Sequence, residues 1–99
     1  MLTQAHLYIK GDVIGVGFRA WARIHARQLN IHGWIRDAHD KGDIFGKSGG
    51  VEAVLQGEHQ YVEQFIELIK KGPSISMVHD VEVFWQDVKD IYEEFEIKK

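Results

Sequence analysis

The stretch that decides the fold is Gly11-Asp12-Val13-Ile14-Gly15-Val16-Gly17-Phe18-Arg19, in which closely spaced glycines join a predicted strand to a predicted helix. Glycine adopts backbone conformations closed to other residues, so consecutive N–H groups can converge on one concavity at a helix start. The guanidinium of Arg19 adds a planar, permanent charge matched to phosphate oxygens. Taken alone, such a glycine pattern is more often a tight connection with a solvated arginine. The choice between that and an anion-binding turn therefore depends on the rest of the sequence.

Regular patterns flank this turn on both sides. Residues 5–10 alternate between apolar and polar, which predicts a half-buried strand. From Phe18 to Leu29 apolar residues recur at helical spacing, which predicts a helix of about three turns. Residues 34–38 then have the composition of a second strand. The glycine-rich turn is therefore predicted to lie exactly between a strand and a helix.

The second half of the chain repeats this order. Residues 40–50 are rich in glycine and charge and predict a long hairpin loop, in which the apolar pair Ile44 and Phe45 either folds back or meets a partner. Residues 51–56 predict the return strand, which Gly57 is expected to end. A second amphipathic helix follows and stops at residues 70–73, and strands are predicted at 77–86 and 95–97.

This order of elements defines the predicted fold class. The chain is expected to be an α+β, ferredoxin-like sandwich of βαββαβ type, with two helices packed on one face of a four- to five-stranded antiparallel sheet. With 99 residues and 44% apolar content, residues 1–99 are expected to form a single domain.

Composition narrows the possible functions. A formal net charge of −3 argues against broad binding to nucleic acid, but it is compatible with one small anionic ligand. The absence of cysteine excludes thiolate catalysis and fits a cytoplasmic location, and no continuous apolar stretch is long enough to span a membrane. A monomer is expected, because no large unexplained apolar stripe is visible.

Metal and cofactor sites are not predicted. Six histidines are present, yet none is spaced with another histidine and a carboxylate as a metal site requires. His39 is the histidine nearest to the predicted anion site, but nothing in the spacing assigns it a role. The three tryptophans do not sit in the aromatic and basic strand pattern of RNA-binding sheets.

Several motifs together resemble the acylphosphatase family. They are Gly-x-Val-x-Gly-Val-Gly-Phe-Arg at 11–19, Gly33-Trp34-Ile35-Arg36, residues 51–57, the Gly72-Pro73 helix stop, residues 81–83 and the terminal residues 95–97. The resemblance covers nearly the whole chain. It implies the fold already predicted. It also implies that the protein hydrolyses acyl phosphates to a carboxylate and inorganic phosphate, and that sulfate would bind as an analogue of phosphate.

The resemblance also implies roles for particular residues. It implies that residues 13–19, which we call the cradle, bind the phosphoryl group, with Arg19 as the substrate-binding arginine. The cradle consists of Val13, Ile14, Gly15, Val16, Gly17, Phe18 and Arg19. Position 14 is commonly glutamine in the family, a departure of little consequence if the cradle binds through its backbone. The catalytic asparagine of the family corresponds to Asp37.

Asp37 is the main departure from the family pattern. An ionised carboxylate offers only acceptors and repels a phosphate, whereas an amide both donates and accepts without charge. At ~4 Å and an effective dielectric constant near 20, two unit charges repel by roughly 4 kcal/mol. Three interpretations remain open: a natural enzyme weakened by the aspartate, a variant made to probe the asparagine, or a noncatalytic anion-binding module that keeps the cradle.

Overall fold

The computed structural model describes residues 1–46 and 49–99. Its strands are β1 (Leu2–Asp12), β2 (His32–Asp37), β3 (Val51–Glu58), β4 (Met77–Gln86) and β5 (Phe95–Lys98). Its helices are α1 (Phe18–Gln28), α2 (Gly42–Phe45) and α3 (His59–Lys71). The strands form one sheet in the order β4-β1-β3-β2-β5. The ferredoxin-like α+β fold predicted from the sequence is confirmed.

The sheet is mixed rather than wholly antiparallel. The four strands from β4 to β2 pair antiparallel, as predicted, but β5 runs parallel to β2, with Phe95 opposite Gly33. The chain leaves β4 at one edge of the sheet and reaches the other edge before β5 begins. The sequence of a short terminal strand does not reveal whether it pairs parallel or antiparallel, because side chains alternate between the two faces in both cases.

Two helices cover one face of the sheet, where the core lies. Helix α1 buries Phe18, Ala22 and Ala26, and helix α3 buries four apolar residues, namely Val62, Phe65, Ile66 and Ile69. They pack on the inward side chains of the central strands, which include Leu7, Ile9, Ala53 and Leu55. The described helices include none that is long and apolar enough to cross a membrane.

The segment between β2 and β3 differs from the predicted loop. Residues 42–45 form the short helix α2, and the ring of Phe45 lies 5.8 Å from that of Tyr8 on the sheet face opposite α1 and α3. Phe45 also covers Gly50, where an added Cβ would come within 2.2 Å of its ring. Phe45 therefore folds back onto the sheet. Residues 47 and 48 of the predicted loop lie outside the described residues.

The predicted break at Gly57 is wrong. Strand β3 continues to Glu58, and Gly57 is paired with Thr3 of β1. The neighbouring strand supplies hydrogen-bond partners along this whole length, and that tertiary pairing outweighs the weak strand propensity of glycine.

A chain of charged side chains crosses the sheet face opposite α1 and α3. Glu52, whose side chain is 5% exposed, lies 2.6 Å from His6 Nε2 and accepts a hydrogen bond from Arg36 Nε. Burial would lower the pKa of Arg36, but hydrogen bonds to Glu52 and Asp40 outweigh it and raise the pKa above its usual value. The hydrogen bond from Arg36 lowers the pKa of Asp40. The Arg36–Asp40 link is therefore kept at neutral pH and lost only as the pH falls through that lowered pKa.

We expect Glu52→Gln to destabilise the fold by about 3 kcal/mol, because it removes one partner of a buried ion pair. Glu82→Gln is the matched control, since Glu82 contacts Lys10 at 3.5 Å with side chains that are 32% (Lys10) and 41% (Glu82) exposed. That change should cost less than about 1 kcal/mol. Urea unfolding of the two variants measures the difference in the free energy of unfolding. Equal losses of stability would show that the buried Glu52 ion pair contributes no more than a surface pair.

Candidate anion-binding site

The cradle lies where β1 ends and α1 begins. Val13 and Phe18 are each 1% exposed, so buried side chains hold both ends of the turn in the core. Gly15 and Gly17 have φ angles of 78° and 76°, in the left-handed region that glycine occupies without strain. An added Cβ at either glycine would meet no atom within 4 Å, so the backbone conformation and not space requires glycine there.

The start of α1 is open to an anion. Gly17 is the residue before the helix and provides no side-chain cap, and the first turn contains no acidic residue. The first N–H groups of any helix lack partners within the helix and carry its positive dipole end. The predicted conjunction of glycine turn, helix start and Arg19 is thus found in one place.

Arg19 and Asp37 come together beside the cradle. Arg19 is in the first turn of α1, and Asp37 is the last residue of β2. The Arg19 Nε lies 3.1 Å from the Asp37 Oδ1, and the two side chains are 37% and 21% exposed. The structure therefore brings together the two side chains, 18 residues apart, that the resemblance implies for the site.

Asp37 Oδ1 is the one buried side-chain oxygen or nitrogen in the described part of the chain that lacks a hydrogen-bond partner. Its contact with Arg19 is therefore ionic, without the alignment of a hydrogen bond. A buried polar atom without a partner costs stability, and such atoms tend to mark functional sites.

The end of the β2–β3 segment borders the cradle. Gly49 has a φ of 73°, and a Cβ added there would lie 3.0 Å from His39 Nδ1 and 3.1 Å from Ile14 Cδ1. Next to it, the Ala38 N–H donates to the Gly50 carbonyl at 2.7 Å, which closes the segment after Asp37. Sequence reasoning did not single out Gly49, and the adjacent glycines 49 and 50 were the only signal that could have found it.

A recess of about 360 Å³ elsewhere does not compete with this site. It lies at the Gln4 end of β1, opposite the cradle, and Gln4 there donates to Gln86 at 3.0 Å. Its other lining residues are Asp87, Lys89, Asp90 and Tyr92, so it presents more acidic than basic groups. In the described residues, no three histidine, aspartate or glutamate side chains are grouped as a metal site would require.

The fold and the cradle define a class of protein: a small α+β sandwich with an anion-binding turn at a helix start. The sequence model of the acylphosphatase family matches residues 5–97. The acylphosphatase of Chloroflexus aurantiacus is 40% identical over 86 residues, which are 87% of this chain and 85% of that protein. The acylphosphatase of Thermococcus kodakarensis is 41% identical over 85 residues, or 86% of this chain and 85% of the relative.

A solved structure agrees with these relatives. The crystal structure of acylphosphatase from Bacillus subtilis matches with a TM-score of 0.86 and 27% identity, and the match covers all of both chains. The chain therefore belongs to the acylphosphatase family. The resemblance inferred from the sequence motifs is confirmed.

Proposed function

We propose that this protein hydrolyses the carboxyl–phosphate bond of acyl phosphates and releases a carboxylate and inorganic phosphate. The observation that carries the proposal is the position of Arg19, which lies in the first turn of an uncapped helix behind two glycines of positive φ. The cradle amides and the guanidinium bind the phosphoryl oxygens. Their fixed positive field stabilises the charge that these oxygens carry in the transition state.

Asp37 positions the attacking water in this mechanism. One oxygen of its carboxyl group accepts a hydrogen bond from water, which then attacks phosphorus opposite the departing oxygen. The leaving carboxylate departs without a proton, so the reaction needs neither a general acid nor a covalent nucleophile. Asp37 is a weaker fit than the family asparagine because its charge opposes that of the phosphate.

The leaving group provides the test of this proposal. We expect hydrolysis of acetyl phosphate but not of ethyl phosphate, with rates that differ by more than about 10², because an alkoxide leaves only with a proton that the site does not supply. Phosphate release from the two compounds measures this. Comparable rates would contradict the proposal, and ethyl phosphate also reports any contaminating phosphatase.

A second function is favoured by the contact between Asp37 and Arg19. A protein that retains the cradle but carries a carboxylate at the water position can bind an anion without turning it over. This noncatalytic module would bind phosphate or sulfate and leave acetyl phosphate intact. The same assay, combined with a phosphate-binding measurement, separates the two functions.

We further propose that residues 1–99 act as one domain and as a monomer in the cytoplasm, on a small-molecule substrate. Edge strand β4 carries Asp80 and Glu82, and acidic side chains on an edge oppose pairing with another sheet. Sedimentation equilibrium should give the mass of one chain, 11.4 kDa, and a dimer mass would contradict the monomer.

A further inference from the structure

An anion that enters the cradle meets Asp37, a carboxylate that is already paired with Arg19. From α1, Arg19 contacts Asp37, while Arg23 lies one turn further along the helix. From β3, the residue opposite Asp37 is the apolar Val51. Asp37 and Arg19 thus form one carboxylate paired with one guanidinium, and together they carry no net charge.

Several other charged groups near β2 are engaged elsewhere. Glu52 of β3 and Asp40 of the following segment are both bound to Arg36, which belongs to the charged chain on the other face. From β5, Lys98 is opposite Arg36, and its Nζ lies over the Trp34 ring at 4.8 Å. Glu96 is paired with Trp34 in the same register. Of these groups, Arg19 is the cation that contacts Asp37, so a guest anion and Asp37 would share it.

We propose that binding of a doubly charged oxyanion to the cradle takes up one proton, which resides on the Asp37 carboxyl and is donated to an oxygen of the guest. The inference rests on the proposed function, because it concerns the same site. A proton from solvent removes the repulsion between carboxylate and guest and turns an acceptor into a donor. The protonated Asp37 then donates a hydrogen bond to the anion, as the amide N–H of an asparagine would.

A phosphoryl group can also bring this proton itself. A singly charged phosphoryl group keeps one O–H, which can donate to an ionised Asp37. In both cases one proton is shared between the Asp37 carboxyl group and an oxygen of the bound anion. Asp37 would therefore favour the binding of acyl phosphates in their singly charged form, or their binding at acidic pH.

Sulfate is the probe that isolates the protein's contribution, because it stays doubly charged at neutral and mildly acidic pH. Titration calorimetry of sulfate in two buffers of different ionisation enthalpy gives the number of protons taken up. At mildly acidic pH we expect an uptake that approaches one proton per sulfate, and an affinity that falls by up to about tenfold for each unit rise in pH. Asp37→Asn should bind sulfate with little proton uptake and little pH dependence.

His39 is the alternative group on which a proton from solvent could reside, since it lies near Gly49 at the border of the cradle. His39→Gln should keep the uptake if Asp37 carries the proton. Uptake that persists in Asp37→Asn or disappears in His39→Gln overturns the proposal, and so does pH-independent binding by the unmodified protein. The proposed function survives those results. If neither the unmodified protein nor Asp37→Asn binds sulfate while both remain folded by circular dichroism, the cradle itself and the proposed function fail.

Discussion

Arg19→Ala is expected to lower kcat/KM for acetyl phosphate by roughly 10³ or more, as loss of a positioned transition-state donor does elsewhere. The guanidinium is the only side-chain cation in contact with the site's carboxylate among the described residues, and alanine would leave Asp37 uncompensated. Phosphate binding should be lost with activity. Initial rates of phosphate release, combined with calorimetric titration of phosphate, measure both effects.

Arg27→Ala is the matched control for this result. Arg27 lies in the last turn of the same helix and is exposed, so its removal should change kcat/KM by less than about threefold. The double variant Arg19→Ala with Asp37→Asn tests for an indirect effect of the uncompensated carboxylate. If the double variant regains full activity, Arg19 serves only to neutralise Asp37 and its proposed role is wrong.

Asp37→Asn is expected to raise kcat/KM for acetyl phosphate by about 10² at neutral pH. Full repulsion of roughly 4 kcal/mol at ~4 Å would correspond to nearly 10³, and the nearby guanidinium of Arg19 offsets part of it. The amide also supplies an N–H donor, which an ionised carboxylate lacks. Steady-state kinetics at pH 7 measures the gain, which should appear in kcat as well as in KM.

Asp43→Asn controls for a general effect of one fewer negative charge. Asp43 is exposed in α2, and its removal should leave the kinetics within about twofold. An Asp37→Asn variant that binds phosphate more tightly but remains inactive would favour the noncatalytic module. Lower activity in Asp37→Asn would instead show that the carboxylate acts as a base on the water.

Local sequence patterns were sufficient for helices α1 and α3, for the succession of the strands along the chain and for the glycine turn between β1 and α1, but they missed the short helix α2. Phe18, Ala22 and Ala26 recur at helical spacing because one face of α1 packs on the sheet. Likewise Leu7 and Ile9 alternate with polar residues because one face of β1 is buried. The pairing of position 37 with Arg19 came from the family resemblance, since no periodicity links residues 18 apart.

Features that depend on distant contacts could not be predicted in this way. Gly57 is extended because β1 pairs with it, and β5 is parallel because its chain crosses to the other edge of the sheet. Phe45 folds back because Tyr8 and Gly50 provide an apolar contact on the sheet. The ionic contact between Asp37 and Arg19 likewise depends on the packing of α1 beside the end of β2.

The central claim is that the cradle amides and the Arg19 guanidinium together bind a tetrahedral oxyanion. The most direct measurement is a crystal structure of the protein soaked in sulfate at mildly acidic pH. We expect one sulfate at the start of α1, within hydrogen-bond distance of the cradle N–H groups and of Arg19. An empty cradle at saturating sulfate, with Arg19 still held by Asp37, would contradict the claim.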